Sequence, residues 1–182
     1  MYHILLFCIF EETLNFMDKP LVYIDLEPHL ADFLRHEFMQ SKKEESLLVD
    51  GSNDIGLLIQ AFITVSDRPR KQEITENTIC LALPLQSWNH AIFQENFIYI
   101  PKWKQKQLSL YLEAQFRVRL KEFFQVGYEK GFKQDMIIRA FLDNYNIKNN
   151  AINYDTIKKY DYRNRRKIVK QVSEEIQLSL NF

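Results

Sequence analysis

Asp25 and Glu27 stand two residues apart at the end of a β-rich run, Leu21-Val22-Tyr23-Ile24-Asp25-Leu26, so in an extended chain both carboxylates project to one side. Asp50 and Asp54 follow a second such run, Leu47-Leu48-Val49. Carboxylates at strand ends are a donor set able to hold Mg²⁺ for phosphoryl transfer or nuclease chemistry. A local assignment is simpler: Glu27 precedes Pro28, where an acid suits the positive end of a helix, and Asp25 is a strand-end polar residue. His29 and His36 are seven positions apart, about 10.5 Å along a helix, too far to share an ion without a third element. His3 and His90 have no recognisable partner in the sequence. Cys8 and Cys80 lie singly in apolar runs, with no Cys or His at ligand spacing, and read as buried thiols of a reducing cytoplasm. There is no Gly-rich phosphate loop, no Gly-x-Ser-x-Gly elbow and no Cys/His pair in nucleophile context. The residues call for no cofactor, and the one catalytic alternative they leave is a metal-dependent nuclease using Asp25 and Glu27.

The stronger chemical signal is charge. The 182 residues carry 24 basic and 24 acidic side chains, a formal net charge of zero. Residues 1–100 hold 7 Lys/Arg against 15 Asp/Glu, and residues 101–182 hold 17 against 9. Asymmetry of this kind suggests a nucleic-acid-facing portion joined to a different, acidic one. The excess concentrates in residues 148–170, where Lys148, Lys158, Lys159, Arg163, Arg165, Arg166, Lys167 and Lys170 face only Asp155 and Asp161. Cations at this density neutralise phosphates and release counterions, which gives salt-dependent binding. Asn153, Tyr154, Thr156, Arg163 and Asn164 are placed to add hydrogen bonds to backbone or base edges. The bland alternative is a solvated helix whose basic end complements its dipole.

The elements that must position these groups follow from periodicity. A strand over 21–26 leads into an amphipathic helix over 27–39, with Leu30, Phe33, Leu34 and Phe38 at helical spacing. After the 47–49 strand, Ser52 or Asn53 can cap a helix carrying Ile55, Leu58, Ile59 and Phe62. Residues 66–75 read as a loop, and 78–83 and 97–100 as strands. From Pro101 a long helix keeps Leu108, Leu112, Phe116, Leu120, Phe123 and Phe124 on one stripe, its end bracketed by Gly127 and Gly131. A second helix is expected at 133–145. After an Asn-rich turn, a third runs to about Lys170 with Asn153 as its cap. A basic second helix after a turn is the order of a helix-turn-helix, although a turn of six or seven residues without glycine is longer than that motif expects.

The fold expected is α+β: an acidic βαβα-type unit over 1–100, a basic three-helix region over 101–170, and a tail over 171–182. The apolar run Ile4–Phe10 has no basic flank or cleavage site and is too short to span a bilayer, so no membrane or export role is expected. Met17 is an alternative start that makes residues 1–16 an upstream extension; the other reading is an edge strand or short helix.

The last residues alternate, with Leu178, Leu180 and Phe182 on one side and Gln177, Ser179 and Asn181 on the other, which reads locally as a terminal strand. The same six residues, Gln-Leu-Ser-Leu-Asn-Phe, resemble the short motif by which bacterial proteins bind the replicative sliding clamp. The resemblance implies an extended peptide in an apolar groove, with Gln177 the polar anchor, Leu178 and Leu180 groove contacts and Phe182 the deep anchor. Such a peptide binds at roughly micromolar strength, about −8 kcal/mol. The opening Leu21–Leu30, with Phe33-Leu34-Arg35-His36-Glu37, also resembles uncharacterised small proteins of phages and mobile elements of gut bacteria, which implies that setting and no activity. The expectation is therefore a DNA-binding accessory or regulator of replication, tethered to the clamp, with a DNA-binding mobile-element regulator lacking the tether as the alternative.

Overall fold

The computed structural model describes residues 19–38, 45–70, 74–75, 77–86 and 89–180. Cys8, His3, the run Ile4–Phe10, the reading of residues 1–16 and the anchor Phe182 lie outside the described residues. The fold is mixed α+β, an N-terminal unit of strands and helices followed by a region of three helices. Compact packing divides the chain between Asp25 and Leu26, between Glu37 and Phe38, and between Leu108 and Ser109, which gives two units. Among the described residues no helix is long and apolar enough to cross a membrane.

The first unit is built on β1 (Leu21–Asp25), β2 (Ser46–Leu48) and β4 (Thr78–Ala82). β4 is the central strand, antiparallel to β1 and parallel to β2. The register pairs Val22 with Leu81 and Ile24 with Ile79, and all four are almost wholly buried, the result expected of a period-two strand with one face in the core. Half-buried Cys80 lies between Ile79 and Leu81 on β4. α2 (Asp54–Phe62) starts where Asn53, the second of the two expected caps, accepts the Gly56 N–H at 2.7 Å. Gly56 is required there, because a Cβ would stand 1.7 Å from the Asp50 carbonyl oxygen. Two elements go beyond the sequence reading: β3 (Thr64–Ser66), which pairs antiparallel with β5 (Phe97–Tyr99), and α3 (His90–Glu95). β3 lies between the helix and the segment read as a loop, sharing only Ser66 with it, because three residues carry too little alternation to announce a strand.

The second unit is helical: α1 (Pro28–Glu37), the part of α4 (Lys102–Glu129) from Ser109 onward, α5 (Gln134–Asn144) and α6 (Ala151–Leu180). The helix between the first two strands thus groups with the C-terminal helices. The α4 stripe is as expected at Leu112, Phe116, Leu120 and Phe124, each at most 2% exposed, while Phe123 is only half-buried. Phe116 meets Phe33 of α1 and Phe141 of α5 edge to face, at 5.7 and 5.4 Å between ring centres. These T-shaped contacts place the positive edge of one ring on the negative face of the next. α4 passes Gly127 and ends two residues later. Gly131, at φ 74°, closes it with the Phe132 N–H on the Gly127 carbonyl and the Gly131 N–H on the Tyr128 carbonyl. α5 ends the same way on Asn146, at φ 51°, with the buried Ile147 donating to the Leu142 carbonyl.

Candidate nucleic-acid interface

The start of α6 corrects the expected cap. Asn150, not Asn153, accepts the N–H of the residue three positions on, at 2.8 Å, and its carbonyl takes the Tyr154 N–H. Asn153 is fully buried and its amide donates to the Lys148 carbonyl, so it cannot read a base edge. Two other expected readers are likewise turned to their own helix: Thr156 donates to the Ile152 carbonyl and Asn164 to the Tyr160 carbonyl. Asp32, buried on α1, accepts the Lys148 backbone N–H at 3.1 Å and the Arg35 guanidinium at 2.7 Å, which pins the turn before α6.

From there α6 runs unbroken, well past Lys170, because no Gly or Pro interrupts residues 151–180. Its inner face is Ile157, Asp161, Ile168 and Val172. Asp161 is the unexpected member, a carboxylate with no exposed surface. It accepts the Tyr128 hydroxyl at 2.8 Å to each oxygen and the amide of Gln134, so α6 is tied to α4 and to the first turn of α5. Burial, and then the hydrogen bond to Asp161, push the Tyr128 hydroxyl well above its ordinary range, so it stays a neutral donor.

Lys158, Lys159, Arg163, Arg165, Arg166, Lys167 and Lys170 are all exposed. Lys159, Arg163, Arg166 and Lys170 follow an i, i+4, i+7, i+11 spacing, which sets them in one row of about 16 Å opposite the buried face. Lys170 also lies 3.6 Å from Glu174, a surface pair of small energetic weight. Arg165 is set apart from the row, its guanidinium over the Tyr128 ring at 5.3 Å from the ring centre.

The C-terminal residues correct a second expectation. Gln177, Leu178 and Leu180 continue α6 as helix and do not form a strand. Val172 is buried, and every residue from Ser173 to Leu178 is exposed. Leu178 is 62% exposed.

Of the carboxylates that could have held a metal, Asp25 and Asp50 bond to nearby side chains and backbone. Asp25 accepts the hydroxyl of Thr78 and, at 3.5 Å, that of Thr75. Glu27 is exposed, and its backbone carbonyl takes the Ala31 N–H in the first turn of α1. Asp50 takes the Ser52 N–H and hydroxyl, and these bonds hold its carboxyl below its ordinary value. Among the described residues no three His, Cys, Asp or Glu gather at metal-binding geometry. His29, 8% exposed, shares a 3.1 Å hydrogen bond with Glu113, which also accepts Arg117 at 2.8 Å. The His29 ring stands edge-on to Phe116 at 5.2 Å, so the pair joins α1 to α4 within the core. His36 packs against the Tyr145 ring at 5.0 Å. No family model matches the chain, and no curated protein or solved structure matches it.

Two outcomes separate the support from the surface. Asp161→Ala strands the Tyr128 hydroxyl and the Gln134 amide and should lower unfolding stability by about 3 kcal/mol, whereas Arg163→Ala should stay within about 0.5 kcal/mol; urea denaturation measures both. The His29 bond holds the Glu113 carboxyl below its ordinary 4.5, against the opposing effect of burial and with the help of Arg117. A lowered folded value means that its stabilisation is fully present above pH 4.5 and is lost as pH falls through the folded value. Glu113→Gln should therefore be less stable at neutral pH and show a shallower acid loss, read from urea midpoints across that range.

Proposed function

We propose that this chain binds nucleic acid, in the first instance DNA, along the exposed face of α6, and that it works as an accessory or regulatory protein of replication in a phage or mobile element, in the cytoplasm. One observation carries the reading: between residues 158 and 170 all seven cations are exposed, while the one carboxylate of that stretch, Asp161, is buried. A row of cations opposite the packed face meets successive phosphates with little opposing charge, and counterion release supplies the affinity. The chemistry is association, and it asks for no metal and no cofactor.

The sliding-clamp tether is the second part of the proposal. Gln177, Leu178, Leu180 and Phe182 are its contact residues, and the motif must be extended to lie in a groove. The exposure of Ser173–Leu178 supports this, because unwinding that stretch gives up no buried side chain. Among its ties to the rest are exposed polar ones, a Gln125 to Glu175 hydrogen bond and the Lys170 to Glu174 pair. The helical state of Gln177–Leu180 favours the second reading, a DNA-binding regulator of a mobile element with no clamp tether.

The DNA reading is tested by fluorescence anisotropy across a salt series. Lys159, Arg163, Arg166 and Lys170 changed together to Ala should reduce the slope of log affinity against log salt by about one for each phosphate no longer neutralised. Absence of DNA binding by the unaltered chain at low salt refutes it. The tether is tested separately on immobilised clamp, where removal of residues 177–182 should abolish capture and leave DNA affinity as it was; equal capture of the shortened chain favours the untethered regulator.

A further inference from the structure

Tyr162 is the most exposed large side chain with apolar surface among the described residues, at 86%. An aromatic ring left in water in the middle of a helix gains nothing from the core. Its surroundings are specific: the four positions that neighbour it on the helix surface, three and four residues before and after, are Lys159, Lys158, Arg165 and Arg166. Beside it opens a shallow groove of about 550 Å³ lined by Gln134, Asp155, Lys158, Lys159, Tyr162 and Arg163. Gln134 commits its amide nitrogen to Asp161, so its position at the groove is fixed from below.

A duplex offers this surface phosphates and base edges, but its base faces are stacked on one another and cannot reach an exposed ring on a convex helix. An unpaired base presents its face freely, and stacking on an aromatic ring flanked by cations that follow the backbone is the general means of holding single strands. Resting on the reading of α6 as a nucleic-acid surface, we infer that its preferred ligand is single-stranded nucleic acid, with one base stacked on Tyr162. The phosphates on either side meet Lys159 and Arg166, while Asp155 and Gln134 offer hydrogen bonds to the edge of the stacked base. The Lys158 to Arg166 span is about 12 Å, room for roughly two phosphates of an extended strand. The site is therefore short and tolerant of sequence, since every base has a face to stack.

The test compares a short fluorescent oligothymidine with a hairpin duplex, using the full chain and two variants, Tyr162→Ala and Tyr162→Phe. Tyr162 is exposed, so neither substitution disturbs the core, and unchanged urea midpoints verify this. The inference expects tighter binding of the oligothymidine than of the hairpin at equal salt. Tyr162→Ala should weaken the single strand by about 5- to 150-fold, the equivalent of one stacked base, with no change in the salt slope or in hairpin binding, and Tyr162→Phe should bind as the unaltered chain does. If Tyr162→Ala leaves oligothymidine affinity unchanged while the four-cation variant still lowers it, the stacking site is wrong and the basic face stands. Equal losses on both ligands also overturn the single-strand preference. Failure of the unaltered chain to bind either ligand at low salt overturns both readings together.

Discussion

The buried carboxylate of Asp161 sets the rotation of the longest helix, and with it everything that the surface of α6 presents. A carboxyl group without exposed surface costs free energy in lost hydration, which is offset when its oxygens are met by good donors. The Tyr128 hydroxyl and the Gln134 amide meet them. Turning α6 by one residue, about 100°, would pull Asp161 from both donors and leave them buried without an acceptor. With Asp161 directed inward, the helical repeat leaves Lys159, Arg163, Arg166 and Lys170 no direction but outward. The same interaction removes a negative charge from the face on which positive charge accumulates.

Helix ends then make the arrangement of α5 and α6 rigid, although the turn between them is long. Residues 145–150 would be expected to lose much conformational entropy on ordering. Each end of the turn is fixed by a residue suited to it: Asn146 tolerates the left-handed conformation that closes α5, and Asn150 supplies the acceptor that opens α6. Asp32 holds the middle through the Lys148 N–H, and Asn153 holds the Lys148 carbonyl, so both backbone groups of one residue are satisfied by side chains. A compact helix-turn-helix reaches the same rigidity with a shorter turn; this chain reaches it with a side chain from α1.

What is legible in the sequence follows from how far each pattern extends. The four-residue recurrence from Leu108 to Phe124 announces its helix because every repeat adds to one stripe, and alternation in residues 21–25 does the same for β1. The cations of α6 are visible as a cluster, but Asp161 counts there as a charge subtracted from it, since no local pattern says that a carboxylate in a basic run is buried. Its two donors lie 33 and 27 residues earlier in the chain. The cap is hard to place for a related reason: Asn149, Asn150 and Asn153 all suit the role, and only the folded turn, in which Asn150 accepts the N–H of a buried Asn153, decides between them. Tyr162 is a tyrosine like any other until the rotation of α6 is known. Near the C-terminus, three apolar residues in alternation are too few to outweigh a helix already propagating from Ala151.

That last competition bears on how a clamp-binding peptide can belong to a helix. Extending a helix by one residue gains little beyond a single hydrogen bond, and Ser173–Leu178 add no buried side chain to it. Glu174 and Glu175 lie near the negative end of the helix dipole, where carboxylates disfavour the helical state. The exposed polar pairs of Ser173–Leu178, such as Lys170 with Glu174, are each worth well under about 1 kcal/mol. A groove that recognises Leu178, Leu180 and Phe182 in extended form at roughly micromolar strength, about −8 kcal/mol, would outweigh that holding energy. On the proposed tether, helix and extended peptide would be two states of one segment, the first adopted alone and the second on the partner, and the cost of passing between them would set the binding weaker than that of the same peptide presented already extended.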